Sequence, residues 1–227
     1  MTVYQELQLN QAGSKNLIRS CADQKEKRKH IAVYLLKISL TVAFCVIFVS
    51  VFTSLFGEEN GVAGVGVLLA LLAFRQVNLG FETSQSVWVM IGIFGILAVG
   101  PHMANQVPSV VGFVINSVCI FVMLVLGCHN VIYFNHATFV LTYLLLYGND
   151  VNGVVYGKRV LGLMLGGIWV ALCMYRNHRK TECKRRLKDV LQEFCLESTR
   201  SQWQIKLALG VCLSMLVGEL LGLPRSM

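Results

Sequence analysis

The 26 residues from Ile31 to Phe56 carry a single charge, Lys37. As an α-helix this run is about 39 Å long, which exceeds the ~30 Å hydrocarbon core of a bilayer. Lipid offers no partners to backbone N–H and C=O groups, so a stretch this apolar is committed to helix. Its far end is marked by Gly57-Glu58-Glu59-Asn60. The remainder of the chain agrees with a membrane setting: 55% of residues are hydrophobic and only 14% charged, and the mean hydropathy is +0.62. A soluble domain carries about a quarter charged residues, so a conventional water-soluble enzyme or binding module is excluded.

The 20 Lys and Arg against 12 Asp and Glu give a formal charge of +8. In a soluble chain that excess would suggest nucleic acid; in a membrane protein the placement of the cations matters more, because cytoplasmic flanks are enriched in Lys and Arg. Residues 1–30 hold six of them (Lys15, Arg19, Lys25, Lys27, Arg28 and Lys29), and residues 176–200 hold eight, from Arg176 to Arg200. Both segments read as cytoplasmic, which predicts a multi-pass protein of the inner (plasma) membrane with its N-terminus in the cytoplasm and no nucleic-acid partner. The first thirty residues lack the pattern of a cleaved secretory signal, so the first span would itself be the anchor. Eight cysteines without paired spacing read as free thiols acting as small hydrophobes, not as a disulfide framework or zinc ribbon.

Six spans are expected. After 31–56 come Val62–Phe74, short and Gly-rich, closed by Arg75; Ser86–Gly100, stopped by Pro101; and Ser109–Gly127, entered through Pro108. The fifth runs from Phe134 to Tyr147, beyond the polar patch Cys128-His129-Asn130, and the sixth from Tyr156 to Tyr175. An even number returns the chain to the side of its first basic flank, in agreement with the second. Within residues 180–198, Leu187, Val190, Leu191, Phe194 and Cys195 recur at helical spacing, predicting a cytoplasmic amphipathic helix that packs on the bundle or on a sister subunit; attachment to anionic lipid is the sharper alternative. A last apolar run, Trp203–Leu223, repeats an earlier pattern: Leu36-Lys37-Ile38-Ser39-Leu40 matches Ile205-Lys206-Leu207-Ala208-Leu209 at an offset of 169 residues.

The expected organisation is therefore a cytoplasmic segment 1–30, a six-span domain 31–175, a cytoplasmic linker 176–202 and the first span of a second repeat, 203–227. An early Lys in the first span, six short helices, an Arg opening the sixth span in Gly157-Lys158-Arg159-Val160-Leu161-Gly162, and a charged linker before another span together resemble the FUSC family of fusaric acid resistance and aromatic acid exporters. The likeness covers Lys25 to Met227. It implies an all-α bundle, an efflux permease for organic or aromatic carboxylate anions, and pairing of units as a homodimer or as repeats within one chain.

Charge inside a span is expensive and normally faces a partner, a cavity or a pathway. Lys37, Lys158, Arg159 and Lys206 meet that description and are the candidate substrate-binding residues. For Lys37 and Lys206 the plain alternative is snorkelling to the interface, and for Arg159 an interfacial anchor or a pair with Asp150. A guanidinium binds carboxylates bidentately and keeps its charge, as an organic-anion site requires. Gly162, Gly166 and Gly167 read as packing positions, and Trp169 offers a face for a ring. His129 and His136 lie seven apart but no carboxylate stands near them, so a metal pair is not expected, and no phosphate-binding loop exists. Catalysis and cofactors are accordingly not expected. Beside the exporter stand two rival functions, a passive anion channel and a non-transporting scaffold for a cytoplasmic domain missing from this sequence.

Overall fold

The computed structural model describes residues 3–9, 11–21, 23–75, 77–128, 135–179, 185–195 and 197–222. Every regular element among them is helical: α1 (Val3–Gln8), α2 (Gln11–Ser20), α3 (Gln24–Phe56), a 3₁₀ turn (Glu58–Asn60), α4 (Gly61–Phe74), α5 (Thr83–Asn105), α6 (Ser109–Gly127), α7 (Asn135–Gly148), α8 (Gly153–His178), α9 (Leu187–Gln192) and α10 (Thr199–Leu220). The chain divides into two compact units, 1–50 and 51–227.

In the first unit, α1 and α2 associate with the start of α3. Asp23 opens α3, accepting from the Lys25 N–H at 3.1 Å, while its carbonyl takes the Lys27 N–H at 3.0 Å. Glu6, 8% exposed, pairs with His30 at 2.9 Å. Between Leu35 and Ile47, α3 exposes leucine, isoleucine, valine and phenylalanine side chains to its surroundings, as a helix in lipid does.

The second unit is a bundle of alternating helices. α5 lies against α6, α7 and α8; α4 lies against α7 and α8; α10 packs on α6. Small residues let these helices approach closely, the usual device where lipid removes the hydrophobic drive between them. A Cβ on Gly166 would stand 2.4 Å from a Val67 methyl, and one on Gly167 2.6 Å from Phe94. Phe52 fills the space over Gly64 and Gly162. Two ends follow from the alternation. The Asp150 end gathers the N-termini of α4, α6 and α8 with the C-termini of α5, α7 and α10; the His178 end gathers the opposite termini and α9.

Each expected span is a helix, with three departures. α5 does not stop at Pro101 but continues to Asn105; the Tyr156 hydroxyl donates to the Ala98 carbonyl at 3.3 Å in the turn that proline loosens. α4 and α7 have 14 residues each, about 21 Å of helix; among the described residues only α3, α5, α6, α8 and α10 are long and apolar enough to cross a membrane. Of the amphipathic helix expected in 180–198, residues 180–184 and 196 lie outside the described residues, and the rest holds α9, six residues long. Glu193 ends it because its carboxylate is held between Arg185 at 2.7 Å and Arg200 at 3.2 Å, and the Phe194 ring turns edge-on to Phe121 with centroids 5.6 Å apart. Val190 is 2% exposed, so the linker packs on the bundle.

Candidate functional site at the Asp150 end

Arg159, in the second turn of α8, is 3% exposed. Its Nε donates to Asn60 Oδ1 at 2.9 Å, its Nη2 to the Glu59 carbonyl at 3.0 Å and its Nη1 to the Asn149 carbonyl. One side chain thus ties together the turn before α4, the chain leaving α7 and α8 itself. Asn60 is oriented by its own amide, which donates to the carbonyls of Phe56 at 2.9 Å and Val155 at 3.2 Å. A guanidinium has five N–H donors; three are engaged, leaving one on each Nη uncommitted among the described residues. That is the number a carboxylate fork needs.

Asp150, offered by the sequence as a partner for Arg159, lies near enough for its charge to act on the guanidinium but forms no direct ion pair with it among the described residues; its Oδ1 lies 2.9 Å from His102 Nδ1. The His102 ring stacks on Tyr156 with centroids 3.8 Å apart. Asn105 donates to the Tyr147 carbonyl at 2.9 Å and Gln106 to Asn152 Oδ1 at 3.1 Å. Beside this cluster, Glu219 of α10 accepts from Ser109 at 2.9 Å and from the Tyr147 hydroxyl at 3.2 Å. One turn deeper along α7, the Tyr143 hydroxyl donates to Asn116 Oδ1 at 2.7 Å, both residues being buried.

The four candidate cations do not converge. Lys158 shares the Asp150 end with Arg159 but is exposed. Lys206 is exposed on α10 near the His178 end, two residues after Gln204, which donates to the Leu124 carbonyl at 3.1 Å. Lys37 belongs to the first unit and donates through Nζ to the Leu9 carbonyl. Sequence reasoning missed Asn60, Asn116, Asn149 and Glu219; for Asn116 and Glu219 the available signal was a polar side chain inside an apolar run. His129 and Asn130 lie outside the described residues. His136 meets Trp203 edge-on, ring centroids 5.0 Å apart, and no group of three or more His, Cys, Asp or Glu suited to a metal occurs among the described residues.

Fold and site together define an all-helical protein with helices of membrane-spanning length and apolarity, and with buried polar groups at both ends of a helix bundle, Arg159 and Asn60 among them at the Asp150 end. No protein-family model, curated protein or solved structure matches the chain.

Proposed function

We propose that this chain is a multi-pass plasma-membrane transporter that exports organic or aromatic carboxylate anions, with its N-terminus in the cytoplasm and six spans per unit, the last span opening a second repeat. The observation that carries the reading is Arg159: a permanent cation, almost fully buried within a helix of membrane-spanning length, with one N–H on each Nη still to be satisfied. A charge at such depth normally faces a partner, a cavity or a pathway, and a transient carboxylate ligand accounts for it. Lys158 then marks the approach at the same end, and Lys37 and Lys206 concentrate anions from the cytoplasmic side. The resemblance to FUSC exporters supports the substrate class, and a dimer of units supports the closely packed, Gly-rich helices.

One specific observation favours a second reading, a non-transporting scaffold: all three bonds made by Arg159 go to the protein itself and knit three segments together. Export of an aromatic carboxylate from cells holding equal amounts of each variant at the membrane separates the two. The transporter reading expects Arg159→Lys, which keeps the charge but loses the planar fork, to reduce export on the order of tenfold, and Arg159→Gln and Lys37→Met to reduce it as well. Undiminished export by Arg159→Gln and Lys37→Met overturns it.

A further inference from the structure

The His178 end holds a second polar cluster, built around the last turn of α6. At a helix C-terminus the final carbonyls lack intrahelical donors and the axial dipole is negative. Here those carbonyls draw side-chain amides from two other helices. Leu124 accepts from the Cys128 N–H at 3.1 Å and from Gln204 Nε2 at 3.1 Å; Cys128 accepts from the same Nε2 at 3.5 Å; Gly127 accepts from Asn135 Nδ2 at 3.2 Å. The donor atoms of both amides are therefore turned onto the end of α6.

What remains is oxygen. Asn135 is 2% exposed and Ser201 0%, yet among the described residues neither Asn135 Oδ1 nor Ser201 Oγ has a hydrogen-bond partner. Ser201 precedes Gln204 by three residues and so lies on the same face of α10, toward α6. The starts of α7 and α10 meet, since the rings of His136 and Trp203 are 5.0 Å apart. Two buried, unpaired side-chain oxygens thus belong to the helix starts that meet the negative end of α6, where Leu124 accepts two bonds but the Gly127 and Cys128 carbonyls accept one each among the described residues.

We infer that this cluster binds a dehydrated alkali-metal cation, held by Asn135 Oδ1, Ser201 Oγ and the terminal carbonyls of α6. Hard cations take oxygen ligands, and helix C-termini with side-chain oxygens are the means by which membrane bundles hold sodium or potassium. No Asp or Glu belongs to the ligand set, so the compensating charge is the helix end alone, which suits a single positive charge. Arg200, next to Ser201, is paired with Glu193 at 3.2 Å, which offsets its repulsion. A water molecule would also satisfy the two oxygens, and the test separates the two occupants.

The full chain in detergent micelles is melted in sodium, potassium or lithium chloride against N-methylglucamine chloride at constant ionic strength. A saturable rise in melting temperature with at least one alkali cation is expected. Ser201→Ala should move its midpoint to on the order of tenfold higher concentration, and Asn135→Asp should move it lower. Ser214→Ala, on the exposed face of α10, where the hydroxyl donates only to the Gly210 carbonyl at 2.9 Å, should leave it unchanged. Equal melting temperatures for the unaltered protein in all four salts mean that water alone fills the site and overturn the inference. The readout involves no flux, so it stands or falls separately from the transport proposal.

Discussion

Arg159 joins distant parts of the bundle, because its acceptors come from sequence positions 10, 99 and 100 residues away. Replacing it by Met keeps much of the stem but leaves the buried Asn60 Oδ1 and two part-buried carbonyls, of Glu59 and Asn149, without their donor, and an unsatisfied buried group costs about 1–3 kcal/mol. With one of the three acceptors fully buried, Arg159→Met should lower stability by about 1–3 kcal/mol, measurable by denaturant titration in mixed micelles. A loss below ~0.5 kcal/mol would show that the guanidinium knits nothing. Tyr143→Phe tests the deeper pair. It removes the donor to Asn116, and interhelical bonds in membranes average about 0.6 and reach about 1.7 kcal/mol, so a loss near 1 kcal/mol is expected in the same titration.

At the scale of elements, glycine sorts the helix faces into packed and open. A Cβ on Gly112 would stand 2.7 Å from the Ala104 backbone carbonyl, which cannot rotate aside; Gly112→Ala should push α6 away from the end of α5 and cost about 1–3 kcal/mol. Over Gly95 there is nothing within 4 Å, so Gly95→Ala should be neutral or stabilise α5 by up to about 1 kcal/mol. Comparing the two melting temperatures checks the assignment, and equal losses would contradict it. Contact between α4 and α8 is tested by a double-mutant cycle. Gly166→Ala meets the Val67 methyls at 2.4 and 2.8 Å, and Val67→Ala makes room for it. The pair should therefore be less destabilising than the sum of the single changes, with a coupling of about 1 kcal/mol or more.

For the whole molecule, the distribution of charge between the two ends predicts orientation. The Asp150 end carries Glu58, Glu59, Asp150 and Glu219 beside Lys158 and Arg159, whereas the His178 end carries Arg75, Arg176, Arg179, Arg185, Arg186 and more. By the positive-inside rule the His178 end is expected in the cytoplasm. A membrane-impermeant maleimide applied to intact cells should label a cysteine introduced by Glu58→Cys, at an exposed position. It should leave the native Cys21, and Cys195, which is exposed beside α9, unlabelled until the cells are opened. Labelling of Cys195 from outside would invert the topology.

Hydropathy is a sum over neighbours in sequence, which is why the chain alone located the seven apolar segments that form helices: the limits of α6 coincide with the expected 109–127. Sequence also marked Arg159 as anomalous, since a charge in an apolar run needs no structure to be noticed. What it could not give were the partners. Asp150 is the nearest carboxylate in sequence and its charge does reach Arg159, but its hydrogen bond goes to His102, 48 residues away, and Arg159 takes the Asn149 carbonyl. The same limit hid the continuation of α5 through Pro101, the brevity of α9, the separation of Lys206 from Arg159 at opposite ends, and the pairing of Glu219 with Ser109 across 110 residues. Burial in lipid and helix formation follow from local composition, because each residue meets the same apolar solvent and each backbone bond closes within one turn. Hydrogen bonds between helices depend on which faces the packing brings together, and only the folded bundle decides that.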